Sequence, residues 1–133
     1  MKNPSFDHIH YRCTSFDEIR NFYVEIMGGI ELPMIKLGGN DNMQIELGGV
    51  TLLFVESTDV IPISPDTLGV YHIAFLVDDC RKATAYFTKI KKAKIAKPRK
   101  RYSDTIVASF LAAPDGMMVE LKEIKPRPKK KKK

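Results

Sequence analysis

The chain has 133 residues, 44% hydrophobic and 29% charged, enough for one domain and too few for several. No apolar run is long enough to span a bilayer, and Met1-Lys2-Asn3-Pro4 lacks the apolar core of a signal peptide. Two cysteines, Cys13 and Cys80, are too few for a disulfide framework, so a reducing, cytoplasmic location is expected.

The formal charge of +6 is unevenly spread. Seven of the 22 basic residues fall in 125–133, leaving 15 against 16 acidic residues in 1–124, a net of −1. The folded part is expected to be near neutral. The Pro- and Lys-rich end is expected to be a disordered basic tail with no specific nucleic-acid or membrane partner. A second basic cluster, Lys89 to Arg101, reads as a solvated helix end and loop; the competing reading is a mouth that attracts an anionic substrate.

In chain order, Phe6 to Cys13 is β-rich and half alternating, which predicts a strand. Ser15 with Glu18 is a capping-box pattern, and Phe16, Ile19, Phe22, Tyr23 and Ile26 recur at helical spacing until Gly28-Gly29. Strands are predicted near 31–36, 42–47 and 50–56, separated by Gly38-Gly39 and Gly48-Gly49. The grammar then repeats. Val70 to Val77 predicts a strand, and Asp78 or Asp79 a helix cap. Ala83, Tyr86, Phe87 and Ile90 mark the buried face of that helix, and strands follow near 93–97, 104–112 and 117–123, with Pro114-Asp115-Gly116 as a tight turn.

Counting supports a duplication. His8 and His72 lie 64 apart, and at that offset Ile9 meets Ile73, Phe22 meets Tyr86, Tyr23 meets Phe87 and Ile26 meets Ile90. Later the offset is 67: Gly49 meets Gly116, Phe54 meets Leu121 and Glu56 meets Glu123. The expected fold is α+β, with two βαβββ modules, 6–56 and 70–123, pairing into a curved sheet around one cleft within a domain of residues 1–124.

His8 with Phe22-Tyr23, then His72-Ile73-Ala74, then Pro114-Asp115-Gly116-Met117-Met118-Val119-Glu120-Leu121 resembles the vicinal oxygen chelate superfamily. That superfamily includes glyoxalase I, extradiol dioxygenases, and fosfomycin- and bleomycin-resistance proteins. The resemblance covers about 6–124 and specifies a fold better than a reaction. It implies metal ligands on the first and last strand of each module: His8, position 53, His72 and Glu120. Position 53 is Leu53, which the repeat independently pairs with Glu120. Strand alternation puts Leu53 with Thr51 and Val55 on one face and Glu56 on the other, so Glu56 replaces the missing ligand only after a register slip.

Two imidazoles and one carboxylate with open positions suit a facial triad for a divalent ion such as Fe, Mn, Ni or Zn. The competing reading makes His8 and His72 hydrogen-bonded core histidines. Arg12, four after His8, matches a basic residue that the resemblance assigns to a substrate carboxylate. His10 is a candidate base or fourth ligand, and Glu120 a candidate base that also touches the ion. Leu53 and Phe110 are expected to border the substrate.

The expected function is Lewis-acid chemistry of lyase or isomerase type on a small molecule that chelates the ion through vicinal oxygens, in a homodimer. The first alternative is a metal-free, resistance-type sequestering module. The second is an extradiol dioxygenase, which by resemblance wants a Tyr where Phe110 stands and a further catalytic His.

Overall fold

The computed structural model describes residues 3–58, 61, 63–64 and 66–127. The last six residues of the expected tail therefore lie outside the described ones. The chain divides into two compact units, Met1–Pro62 and Ile63–Lys133. No described helix is long and apolar enough to cross a membrane.

The first unit runs β1 (His8–Cys13), α1 (Phe16–Ile19) continuing into a π-helical segment Arg20–Ile26, then β2 (Ile30–Leu37), β3 (Asn40–Leu47) and β4 (Val50–Glu56). The second runs β5 (Ile73–Leu76), α2 (Cys80–Ala85) with a π segment Tyr86–Ile90, β6 (Ile95–Arg101), β7 (Ile106–Ala112), a 3₁₀ turn Pro114–Gly116, and β8 (Met118–Ile124). Strand orders are β1-β4-β3-β2 and β5-β8-β7-β6, with β1 parallel to β4 and β5 parallel to β8. The βαβββ module is thus present twice, as the repeat predicted.

The duplication extends to the capping chemistry. Ser15 Oγ accepts from Glu18 N at 3.3 Å, and 64 residues on Asp79 Oδ1 accepts from Lys82 N at 2.9 Å. Each helix start gains a second acceptor from the end of its module. Glu56 takes the Phe16 N–H at 2.8 Å and Glu123 takes the Cys80 N–H at 2.8 Å. First-turn donors have no intrahelical partner, so these carboxylates satisfy them and complement the helix dipole.

Both helices also end alike. Gly29 N reaches Tyr23 O at 2.8 Å and Ala93 N reaches Phe87 O at 2.9 Å, each six residues back, one more than the long bond of a Schellman close. The left-handed residue is Gly28 (φ +84°) in one module and Lys92 (φ +64°) in the other. A side chain there meets a steric penalty that glycine does not. Lys92→Gly is therefore expected to raise stability by up to about 1 kcal/mol, read as an increased urea midpoint with an unchanged m-value.

Each helix packs on one face of its sheet. In the first module Tyr23 meets Phe54 at 5.2 Å between ring centroids, and Tyr11 stacks on Phe54 at 5.3 Å. Met43, Ile45 and Leu52 complete a buried layer. In the second, Thr84 Oγ1 bonds Ser109 Oγ at 2.8 Å beneath Leu111, Val119 and Leu121.

Among the described residues the Tyr11 hydroxyl is buried with no hydrogen-bond partner, and burial pushes its pKa up to about 12 from 10.0. The unfolded chain then releases this proton first. This group's contribution to stability is full below pH about 10 and is lost as pH rises through about 12. Absorbance titration of tyrosinate should show one late-ionising tyrosine that Tyr11→Phe removes.

Three expectations need correction. Tyr86 and Ile90 are exposed, at 46% and 66%. The reading assumed 3.6 residues per turn, whereas Lys91 N bonds Tyr86 O five residues back, and the wider π turn changes which side chains face the sheet. Residues 97–101 lie on β6 and not in a loop. Like β2 with Pro33, this edge strand carries a proline, Pro98, at a register shift. Its charges and proline discourage pairing with another edge. Finally, β5 begins at Ile73, so His72 stands just before the ladder.

Candidate functional site

Residues alternate across a strand, so the helix-covered face fixes what lies opposite. In the second module, Ala74 pairs with Glu120, Glu120 with Phe110, and Phe110 with Lys97. This row crosses all four strands on the face away from α2, since neighbouring Ser109 points at the helix. His72 leans onto the row. Its ring meets Phe110 edge-on at 4.9 Å, and its Nε2 lies 2.8 Å from Glu120 Oε1. The two side chains are only 26% and 12% exposed.

Of the three expected ligands, His8, His72 and Glu120, the second module brings His72 and Glu120 into contact. Two ligands at neighbouring positions on a divalent ion, each roughly 2.0–2.2 Å from it, sit about 3 Å apart. The His72 and Glu120 atoms face one another at 2.8 Å, the length of an N–H···O hydrogen bond, so Nε2 must release its proton before both atoms can bind one ion. Among the described residues, His72 Nδ1 is buried without a hydrogen-bond partner.

In the first module, His8, His10 and Arg12 alternate with Ile9, Tyr11 and Cys13 along β1 and face away from the helix. His8 Nδ1 contacts Asp7 Oδ2 at 2.7 Å. A carboxylate on one ring nitrogen orients the imidazole and leaves the other nitrogen to bind. His10 lies 6.2 Å from His8, centroid to centroid, and its ladder partner is Leu53. The row His10–Leu53–Gln44–Leu32 is the counterpart of Ala74–Glu120–Phe110–Lys97. Leu53 thus occupies the register place of Glu120, with 5% exposure. Glu56 faces the helix and caps it. Arg12 lies one row further, opposite Val55.

Within either module, among the described residues, no three His, Cys, Asp or Glu side chains are grouped to enclose an ion. A cleft of about 370 Å³ in the first module is lined by Gly28, Ile30, Glu46 and Thr51 among others. It borders the row of His8 through Thr51, but none of the expected ligands lines it.

Two residues had no individual signal in the sequence. Tyr71 and Tyr102 meet the row from its flanks: Tyr71 lies 5.0 Å from the His72 ring and Tyr102 lies 6.4 Å from the Phe110 ring. Lys97 was visible only as one of many cations. Here its Nζ donates to Tyr71 Oη at 2.7 Å and stands 5.4 Å over the Phe110 ring.

The comparisons with known proteins agree with this architecture. The model of the Glyoxalase/Bleomycin resistance protein/Dioxygenase superfamily matches residues 5–121. The chain belongs to that superfamily. Among solved structures, it is similar to a glyoxalase family protein from Enterococcus faecalis (24% identity, TM-score 0.75, covering 90% of this chain and 97% of that one). It is also similar to a glyoxylase/bleomycin resistance protein/dioxygenase domain from Frankia sp. EAN1pec (15%, 0.76, 93% and 100%). A third is the fosfomycin resistance protein FosX from Listeria monocytogenes (15%, 0.70, 91% and 93%). At these identities the likeness is one of fold. No curated protein matches the chain. In this member of the superfamily, Leu53 stands at the register place where the other module carries the carboxylate of Glu120.

Proposed function

We propose that this superfamily member is a metalloprotein in which His8, His72 and Glu120 hold a divalent ion (Fe, Mn, Ni or Zn) and that it carries out lyase- or isomerase-type chemistry on a small molecule. The observation that carries the reading is the contact between His72 Nε2 and Glu120 Oε1 at 2.8 Å on the face opposite α2. When bound, the ion supplies Lewis acidity toward charge developing on two adjacent substrate oxygens.

The side chains supply the rest. Glu120 Oε1 faces His72, and its carboxylate serves as the base that moves a proton between adjacent substrate carbons. His10, on the row of Leu53, is the second base. Leu53 and Phe110 give apolar walls, and Arg12 binds an acidic group of the substrate. Phe110 has no hydroxyl, which disfavours the extradiol reaction. The working form is a homodimer, since β1 and β5 are sheet edges without the prolines that protect β2 and β6. Cys13 and Cys80 are both buried thiols, which suits a reducing cytoplasm.

A metal-free sequestering module is the second reading. Leu53 favours it, because a leucine neither coordinates an ion nor accepts a proton. Elemental analysis of the purified protein against His72→Ala separates the two: equal metal content in both would remove the metal reading.

A further inference from the structure

Lys97 is unlike the other cations of its strand. On β6, Lys97, Arg99, Lys100 and Arg101 are all exposed, but Lys97 alone is drawn onto an aromatic floor on the row of Glu120. Its Nζ donates to Tyr71 Oη at 2.7 Å, and it lies 5.3 Å from the Tyr71 ring centroid and 5.4 Å from that of Phe110. Among the described residues no carboxylate is paired with it; the neighbours that act on its charge are Tyr71 and Tyr102. A hydrogen bond to Tyr71 keeps the ammonium's pKa above its ordinary value, so it stays charged at neutral pH. The ammonium is held by the Tyr71 hydroxyl and by the quadrupole of the Phe110 ring, and it keeps its remaining donors for a ligand.

We propose that Lys97, held by the Tyr71 hydroxyl over Phe110 beside the His72–Glu120 pair, is the subsite for an anionic group of the substrate. The module then takes a small organic oxyanion, a carboxylate or phosphonate, with a flat or apolar body. This deepens the function proposed above and rests on it only for the reacting end of the molecule.

The register gives the dimensions. Lys97 and Glu120 are both ladder neighbours of Phe110, so their backbones lie two strand spacings apart, about 9–10 Å. The Phe110 side chain, 5% exposed, forms the floor between them. A ligand with its anion on Lys97 lays its body over Phe110 and presents its far end to His72 and Glu120. Tyr102, 49% exposed, bounds the floor on the side of Lys100, whose Nζ sits 5.4 Å over the Tyr102 ring. Glu120 itself disfavours an anion at the other end of the row, which gives the ligand one orientation.

The test measures binding of benzoate, phenylphosphonate and neutral benzamide to the full chain by ligand-observed NMR. It is run on EDTA-treated protein and on protein loaded with Zn(II). Both anions should bind more tightly than benzamide in either form. Lys97→Met should weaken them about tenfold or more, while Lys97→Arg should retain most of the binding because the charge stays. Tyr71→Phe, which removes only the hydroxyl that positions Lys97, should weaken them by a smaller factor. Lys97 is exposed on an edge strand, so its variants should melt as the wild type does.

Anion binding unchanged in Lys97→Met, or benzamide binding as tightly as benzoate, would overturn the subsite. Anion binding that requires Zn(II), disappears in His72→Ala and ignores Lys97 would also overturn it, while leaving the metal reading intact. Lys97-dependent anion binding in a protein that takes up no metal would uphold the subsite and remove the metal reading.

Discussion

His72→Ala is expected to strip the protein of divalent metal, leaving elemental analysis at the buffer background while the wild type retains ion through dialysis. The variant removes the imidazole that faces Glu120 at 2.8 Å, one of three proposed ligands. Metal should also stabilise the wild type and not the variant. At a free concentration of about 100 times Kd, binding contributes about 2.7 kcal/mol. For a chain of this length that is a rise in Tm of about 10 °C.

A purely structural pair predicts something different. Glu120 is 12% exposed, and removing its imidazole partner would cost roughly 1–3 kcal/mol with no change in metal content. Glu120→Gln separates the cases further. It keeps the shape and an oxygen for the imidazole, so the fold should survive, but it removes the negative charge that a divalent ion requires. Loss of metal in both variants supports the ligand pair. Loss of stability in His72→Ala, with metal content equal in all three proteins, would sink it.

Much of this was legible in the sequence because the chain says it twice. One repeat is ambiguous between an amphipathic strand and a short buried helix, but the same order of His, aromatic pair, glycine turn and glutamate at a near-constant offset leaves few folds that satisfy both copies. The alternation of β4 was enough to place Leu53 and Glu56 on opposite faces, and the structure gives Glu56 a reason to be there: it accepts the Phe16 N–H. Glu123 does the same for Cys80, a pairing the repeat count contained without its chemistry.

What the sequence hid depends on winding and register. Uniform helical spacing points Tyr86 and Ile90 inward, and the π segment breaks that spacing. Lys97 was one of eight cations between positions 89 and 101. Only the register shifts of β6 single it out by putting it opposite Phe110. Tyr71 looked like the second residue of a strand; the strand starts later, which leaves its ring beside His72 and its hydroxyl against Lys97.

Leu53→Glu should produce the largest change in stability, and its sign should depend on metal. Leu53 is 5% exposed and lies between His10 and Gln44 in the ladder. A glutamate there without a cation is an almost buried charge, and the fold should lose roughly 1–3 kcal/mol or more. In the row of the other module, however, the same register place is held by Glu120, so the substitution makes the two modules chemically alike. If an ion sits where the proposed ligands imply, the new carboxylate becomes a fourth ligand. Breaking a buried charge pair is costly and completing one is not. Mn(II), Ni(II) or Zn(II) should then raise the Tm of the variant by more than that of the wild type, and metal affinity should increase. The measurement is thermal melting of both proteins with EDTA and with each ion. Destabilisation that no ion relieves would place the introduced carboxylate in a metal-free apolar wall. The sequestering module, with Lys97 rather than a cation as its polar contact, would then be the reading that survives.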